Sequence, residues 1–296
     1  MNSVLQRLAE SFPRRRLHAM VAMAALVMGA AGSAAPAQAW EMRVCADPDN
    51  MPFSRRDAGG FENKIAKVLA DDLGAKLTFV WWPETEEMVS KQLREGNCDI
   101  IMGSPETSGG VLPTIAYYRS PFAFVYRADA GYDISSFDDD VLKKLRIGFN
   151  VRNSSPDQAL VTRGLSQNVV TLPYNHDISV PTQDDKAPLG DGPEAGLFEA
   201  LARGDFDVAI PWGPVAGYFA SRQKVPLKVV PTDEFDTSFL PMYIAMVIVV
   251  RQGDESLRDR LNIAIADRWD EINAVLKAYG VPLLDLPQPT ATIEGK

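Results

Sequence analysis

The side chains with which this 296-residue chain could do chemistry are three tryptophans, Trp81, Trp82 and Trp212, and a scatter of carboxylates. Trp81 and Trp82 close an apolar stretch, Lys76–Trp82, that reads as a strand. Their side chains then leave on opposite faces, so at most one of them can face a cleft. Trp212 follows a second apolar strand and would look back across the opening, where the aromatics could hold a planar solute, fill a closed cleft or dock a protein. Glu106, just after Gly103-Ser104-Pro105, is the carboxylate best placed for acid or base work in such a cleft, and the plainer reading is a solvated loop glutamate. The run Asp138-Asp139-Asp140 reads as a solvated charge cluster before it reads as a metal site. Past residue 39 there is one histidine, His176, too few for a catalytic triad or a histidine-built zinc centre. Cys45 and Cys98 are too far apart for a C-x-x-C redox pair. No cofactor and no metal site is expected from these residues.

The elements that must position these groups are organised around Arg43–Ser54. A strand start at Met42 and Val44 runs through Cys45-Ala46 and breaks into Asp47-Pro48-Asp49-Asn50-Met51-Pro52-Phe53. This is a buried strand opening at its carboxyl end into a proline-fixed polar turn. Ligands of open α/β sheets sit at that end of the strands, which makes Asp47, Asp49, Asn50 and Phe53 candidate cleft residues. Phe61, Ile65, Val68, Leu69 and Leu73 then recur at helical spacing up to Gly74. Thr85 can cap a helix carrying Met88, Val89 and Leu93, and Ile100–Gly103 is a short apolar strand that leads to Ser104. Strand, helix, strand, helix, strand in this order gives an α/β fold with parallel crossovers. If the first and third strands are neighbours, about 4.8 Å apart, Cys45 and Cys98 come within bridging reach. A disulfide there would close a loop of about 54 residues, for roughly 4 kcal/mol; two buried free thiols are the alternative.

The unit recurs. Leu93–Met102 (LREGNCDIIM) aligns with Leu201–Ile210 (LARGDFDVAI) at a constant offset of 108, each reading helix, Gly, two residues, Asp, apolar strand. Two similar lobes follow. Phe122–Tyr126 is a crossing strand into the second lobe, which continues with strands at Leu145–Phe149, Val169–Leu172 and Lys228–Val230. Asn153 and Ser154 lie in the turn before a helix for which Ser155 is the expected N-cap and Pro156 the first helical residue, a possible anion site. Asn175–Gly196 reads as a long exposed loop. Phe239–Val250 is a twelve-residue apolar stretch expected to return as one buried strand, and Leu257 through Tyr279 form a helical apolar stripe stopped by Gly280. Lobe one is therefore expected over residues 40–124 and 238–287, lobe two over 125–237, and a disordered tail over 288–296.

Residues 1–39 read as a secretory leader. Arg14-Arg15-Arg16 precedes an apolar run, and Ala37-Gln38-Ala39 places the cut between Ala39 and Trp40. Removing the leader leaves 26 basic against 38 acidic side chains, a surface that argues against nucleic acid and anionic membranes as partners and suits a basic protein or a cationic solute.

Two lobes, two crossings and a returning helix resemble the type II periplasmic solute-binding proteins. A sharper likeness runs through Arg43–Pro48, Met51–Ser54, Gly60–Asn63, Val80–Pro83, Tyr117–Ser120 and Pro211–Pro214, which is similar to the methanol-dehydrogenase-associated binding proteins of the MxaJ/XoxJ type. The resemblance implies a periplasmic, non-enzymatic protein that works beside a pyrroloquinoline-quinone (PQQ) methanol dehydrogenase and its c-type cytochrome in maturation or activation. The family's two cysteines match Cys45 and Cys98. The alternative within the wider group is a receptor that delivers a small solute to an ABC importer. Amino-acid binders of that group clamp the α-carboxylate with an arginine after the third strand; Thr114–Tyr117 lacks it, and Arg119 is displaced by two residues. They also carry an acidic residue where this chain reads Ile210-Pro211-Trp212-Gly213.

Overall fold

A computed structural model of the protein describes residues 40–82, 88–106, 109–149, 154–172, 189–190, 192 and 194–289. Residues 1–39, where a leader is expected, Thr85, Asn153, His176 and residues 290–296 lie outside the described residues. Among the described residues no helix is long and apolar enough to cross a membrane.

β1 (Glu41–Ala46) runs into a small ribbon formed by β2 (Asp49–Asn50) and β3 (Ser54–Arg55), and α1 (Phe61–Asp72) follows. The apolar spacing read from the sequence is the reason α1 forms where it does: Phe61, Ile65 and Leu69 are fully buried. The side chain of Asn63 caps the helix start by accepting from Gly60 N–H at 3.1 Å. β4 (Lys76–Trp81), a six-residue π-type helical turn over Met88–Leu93, and β5 (Ile100–Pro105) complete the first unit. β6 (Leu112–Pro113) and β7 (Tyr118–Pro121) lead to β8 (Ala123–Arg127), the crossing strand.

The second lobe adds β9 (Ile147–Phe149), α2 (Ser155–Thr162), β10 (Val169–Thr171), α3 (Ala195–Arg203), β11 (Val208–Ala209), α4 (Gly213–Ala220) and β12 (Leu227–Pro231). A ribbon of β13 (Phe235–Thr237) and β14 (Leu240–Pro241) precedes the return strand β15 (Tyr243–Val250), and α5 (Glu255–Asp267) and α6 (Trp269–Ala278) close the chain against lobe one.

The two sheets have one plan. Lobe one is ordered β4-β1-β5-β15-β6, with β7 also on β15, and lobe two is ordered β10-β9-β11-β8-β12. In each, three parallel strands carry the repeated unit, and the strand that enters from the other lobe, β15 or β8, pairs antiparallel with the third. The fold is thus the two-lobe, periplasmic-binding-protein-like α/β architecture. Leu257, Leu261, Ile265, Ile272 and Leu276, the stripe read from the sequence, are buried in the lobe-one core. That stripe is two helices, not one, with the break at Arg268, which donates to Asp72 and Glu271.

Three local expectations need correcting. The helix cap is Ser154, one residue before the expected Ser155, and its Oγ accepts from Asp157 N–H at 3.4 Å. The stretch Phe239–Val250 does not form one buried strand: Pro241 lacks the amide a central strand must donate, β15 starts at Tyr243, and Phe239 is left 90% exposed. Gln288, expected in the tail, donates to the Ala266 carbonyl at 3.1 Å.

Candidate functional site

The polar turn after β1 is built by mutual satisfaction of short-range groups. Asp49 N–H donates to Asp47 Oδ1 at 2.8 Å, and Ser54 Oγ–H donates to the Asp47 carbonyl at 2.8 Å. The carbonyls of Pro52 and Phe53 accept from Phe61 and Glu62 N–H, both at 2.9 Å, so the turn takes up amides that the helix start leaves without an internal partner. Only a glycine permits this approach: a Cβ on Gly60 would lie 2.1 Å from the Phe53 carbonyl oxygen. Phe53 is thereby fixed in the wall of a cavity of about 450 Å³ lined from both lobes.

Asp47, Asn50, Phe53, Ser154 and Trp212, five of the residues expected at the cleft, line this cavity together. Phe53 and Trp212, both in its wall, stack on each other, centroids 5.6 Å apart and planes 13° apart. Tyr118 stacks on Trp212 at 6.0 Å. Trp212 Nε1–H donates to the Ser120 carbonyl at 2.9 Å, and an isolated bridge pairs Trp212 with Phe122, so the ring is held from the crossing segment. A second lobe-to-lobe contact lies behind the cavity. Tyr218 of α4 stacks on Tyr279 at 5.9 Å, and a Cβ on Gly217 would fall 1.8 Å from the Gly280 carbonyl oxygen.

Trp81 and Trp82 do not face Trp212, which corrects the expected arrangement. β4 is the edge strand, separated from β15 by β1 and β5, so its end falls outside the opening. Trp81 is buried and stacks on Phe79 at 5.0 Å, and Trp82 packs against the cluster containing Cys45 and Cys98. Those cysteines are joined, with Cα atoms 5.6 Å apart, Cys45 in β1 and Cys98 two residues before β5, and among the described residues none is left as a free thiol. Ser104 is buried in β5 opposite Val247, and Glu106 is exposed beyond that strand; neither lines the cavity. Arg119 is engaged elsewhere: it bonds the Glu234 carboxylate and lies 4.5 Å from the Tyr243 ring centroid. Asp49 lies beside the cavity under Gly190, whose Cβ position would fall 2.2 Å from the carboxylate.

The structure also brings in residues the sequence reading passed over. Glu62, Met246 and Ile244 line the cavity. Glu62 is the residue after Phe61 in the first turn of α1, and Ile244 and Met246 share one face of β15, so strand alternation was the signal available for them. Beside Glu62, Tyr117 accepts from Gly103 N–H at 3.1 Å, and burial first, then the Glu62 charge, pushes its hydroxyl well above the ordinary tyrosine range.

Comparison with known proteins agrees with this geometry. The profile of "Bacterial extracellular solute-binding proteins, family 3" matches residues 42–280. Protein MoxJ of Methylorubrum extorquens is 27% identical over 299 residues, covering 92% of this chain and 96% of the relative. The crystal structure of MxaJ from Methlophaga aminisulfidivorans MPT superposes with a TM-score of 0.69 at 30% identity, covering 82% of this chain and all of the other. That of the periplasmic binding protein XoxJ from Methylobacterium extorquens AM1 gives 0.67 at 32%, covering 83% and 100%. With its two sheets of matching strand order, its hinge-held aromatic cleft and a family profile spanning both lobes, the chain belongs to the bacterial extracellular solute-binding proteins, family 3.

Proposed function

We propose that this chain is a periplasmic accessory protein of a PQQ methanol dehydrogenase system, acting by binding the dehydrogenase, beside its c-type cytochrome, to assist maturation or activation. The likeness to MoxJ, MxaJ and XoxJ supports this reading. The observation that carries it is the use of Arg119. The one arginine near the segment where amino-acid binders keep their carboxylate clamp is spent on Glu234 and Tyr243 at the hinge, and an aromatic stack forms part of the cleft wall. A cleft built this way suits protein contact better than capture of a zwitterion. The match to extracellular solute-binding proteins supports a periplasmic location, which a leader cut between Ala39 and Trp40 would give. The test is a pull-down and an activation assay with apo-dehydrogenase, supplied with calcium or with a lanthanide. Capture and a gain in activity are expected, and no binding in either metal state overturns the reading.

The cavity itself favours the second reading, a solute receptor for an ABC importer. At about 450 Å³ it falls within the size range of small-molecule sites, and it mixes apolar walls with Asp47, Asn50 and Glu62. A thermal-shift screen of small metabolites separates the two: a saturable rise in melting temperature supports the receptor, and its absence at high concentration counts against it.

A further inference from the structure

The ribbon between the lobes presents an aromatic side chain that the protein's own packing leaves unused. Among the described residues four large hydrophobic side chains are exposed, and two of them, Phe235 at 49% and Phe239 at 90%, sit on this one short ribbon. Its tip is Ser238-Phe239, and its arms pair Phe235 with Pro241 and Thr237 with Leu240. The base is anchored on both sides. Arg163, at the end of α2, grips the buried Asp236 carboxylate with contacts of 2.8 and 2.9 Å. Arg119 grips Glu234, Met242 N–H donates to the Glu234 carbonyl at 2.8 Å, and Phe235 meets Tyr243 edge-on at 5.8 Å. The tip is therefore presented on a base already ordered by ion pairs and ring contacts, so docking it would cost little further ordering. Asp233 is exposed alongside, and Asp138, also exposed, pairs with Arg163; the four carboxylates Asp138, Asp233, Glu234 and Asp236 against Arg119 and Arg163 leave the ribbon base net acidic, on a chain of formal net charge −9.

We propose that the Phe235–Pro241 ribbon is a docking element whose Phe239 ring inserts into an apolar pocket on a partner protein, and that the pocket is rimmed by basic side chains matching Asp233 and the net acidic ribbon base. The proposal rests on the reading that this chain works by binding the dehydrogenase, and it assigns that contact to the hinge-side ribbon and not to the cleft. Aromatic anchors buried at the centre of an interface carry much of its energy, and complementary charge around them speeds encounter and selects the partner. Because the ribbon lies on the connection from β12 to β15, a partner seated here would hold both the second lobe, through Arg163, and the hinge, through Arg119.

The test measures the affinity of the mature protein for apo-dehydrogenase by biolayer interferometry. Phe239→Ala is expected to weaken binding by about tenfold or more, Phe239→Trp to retain it, and higher salt to weaken the wild type. Since Phe239 is exposed, the melting temperature of the alanine variant should stay at the wild-type value, and this controls for folding. As a second readout, p-benzoylphenylalanine in place of Phe239 should photocrosslink to the dehydrogenase, while the same probe in place of exposed Asp270 on α6 should not. If the wild type binds and Phe239→Ala binds equally well, the ribbon proposal is overturned and the accessory reading stands. If the wild type does not bind at all, both fall. If Phe239→Ala only converts a homodimer to a monomer in sedimentation, the occupant is a second copy and the proposal is overturned.

Discussion

Arg43 and Asp99 form a three-pronged clamp at the N-terminal end of the lobe-one sheet: Asp99 accepts from the Arg43 backbone N–H at 2.9 Å, from Nε at 3.1 Å and from Nη2 at 2.6 Å. Arg146 and Asp207 repeat it in lobe two, with contacts of 2.8, 3.1 and 2.9 Å. The remaining guanidinium nitrogen of each arginine donates to a carbonyl two residues before the aspartate, that of Asn97 or Asp205. Each clamp ties the first strand of a lobe to the start of the third. The aspartate of the repeated helix-Gly-x-x-Asp pattern is thus a register pin that lets two similar sheets assemble independently.

The lobe-two clamp predicts an acid-sensitive stability. Hydrogen bonds from Arg146 hold the Asp207 carboxyl below the usual range, against a smaller opposing effect of burial. A carboxylate depressed in the folded state contributes stability that is present above its unfolded pKa of about 3.9 and is lost as pH falls through the folded value. The gap in urea midpoint between wild type and Asp207→Asn should therefore be constant near neutrality and shrink below about pH 4. A gap independent of pH down to 3 would remove the ionic part of the argument. In lobe one, Asp99→Ala should cost about 1–3 kcal/mol, since it strands the Arg43 amide and leaves Arg251, 3.5 Å from the carboxylate, without that partner.

The Cys45–Cys98 bridge ties β1 to the segment just before β5, across a sequence separation of 53 within one lobe. Closing a loop of that length restricts the unfolded chain by roughly 4 kcal/mol. Both sulfurs are buried, so the paired Cys45→Ala, Cys98→Ala variant should fold, with a lower urea midpoint and a melting temperature reduced by several degrees. Treating the wild type with reductant under denaturing conditions should reproduce the change. An unaltered midpoint in the double variant would show that the turn after β1 is held by its own hydrogen bonds to α1 and not by the bridge.

Much of this fold was readable in the residues, and the unreadable part has a physical cause. The apolar spacing from Phe61 to Leu73, the Gly stops and the offset of 108 between the two units depend on neighbours in sequence and emerged directly. Arg43 and Arg146 lie more than fifty residues from the aspartates they grip, so nothing local marked them. The tryptophans show the same limit. Strand alternation assigned opposite faces to Trp81 and Trp82, but the position of β4 at the sheet edge, which decides that neither lines the cavity, depends on strand order. Phe239 looked like the first residue of a buried strand because it begins an apolar run; the proline two residues later governs, and the ring is turned out.

The stack of Phe53 on Trp212 should set how closely the lobes sit. Phe53 comes from the lobe-one turn that Gly60 allows to pack on α1, while Trp212 caps α4 in lobe two and is tied to the crossing segment through Ser120. Trp212→Ala removes the stack on Phe53, the contact with Tyr118 and that hydrogen bond together. For a half-buried ring the loss should be about 2–3 kcal/mol, below the 3–5 typical of fully buried aromatics. Trp212→Phe keeps a ring in the cleft and loses the N–H donor, for about 1 kcal/mol. Small-angle scattering supplies the second measurement. The alanine variant should show a larger radius of gyration as the lobes part, and the phenylalanine variant should match the wild type. The Tyr218–Tyr279 stack and the Gly217–Gly280 approach would still hold the rear of the interface, so the opening should be a hinge motion about that edge rather than separation of the lobes. If the alanine variant loses stability at an unchanged radius, the rear contacts alone fix the lobe spacing and the aromatic stack only fills space.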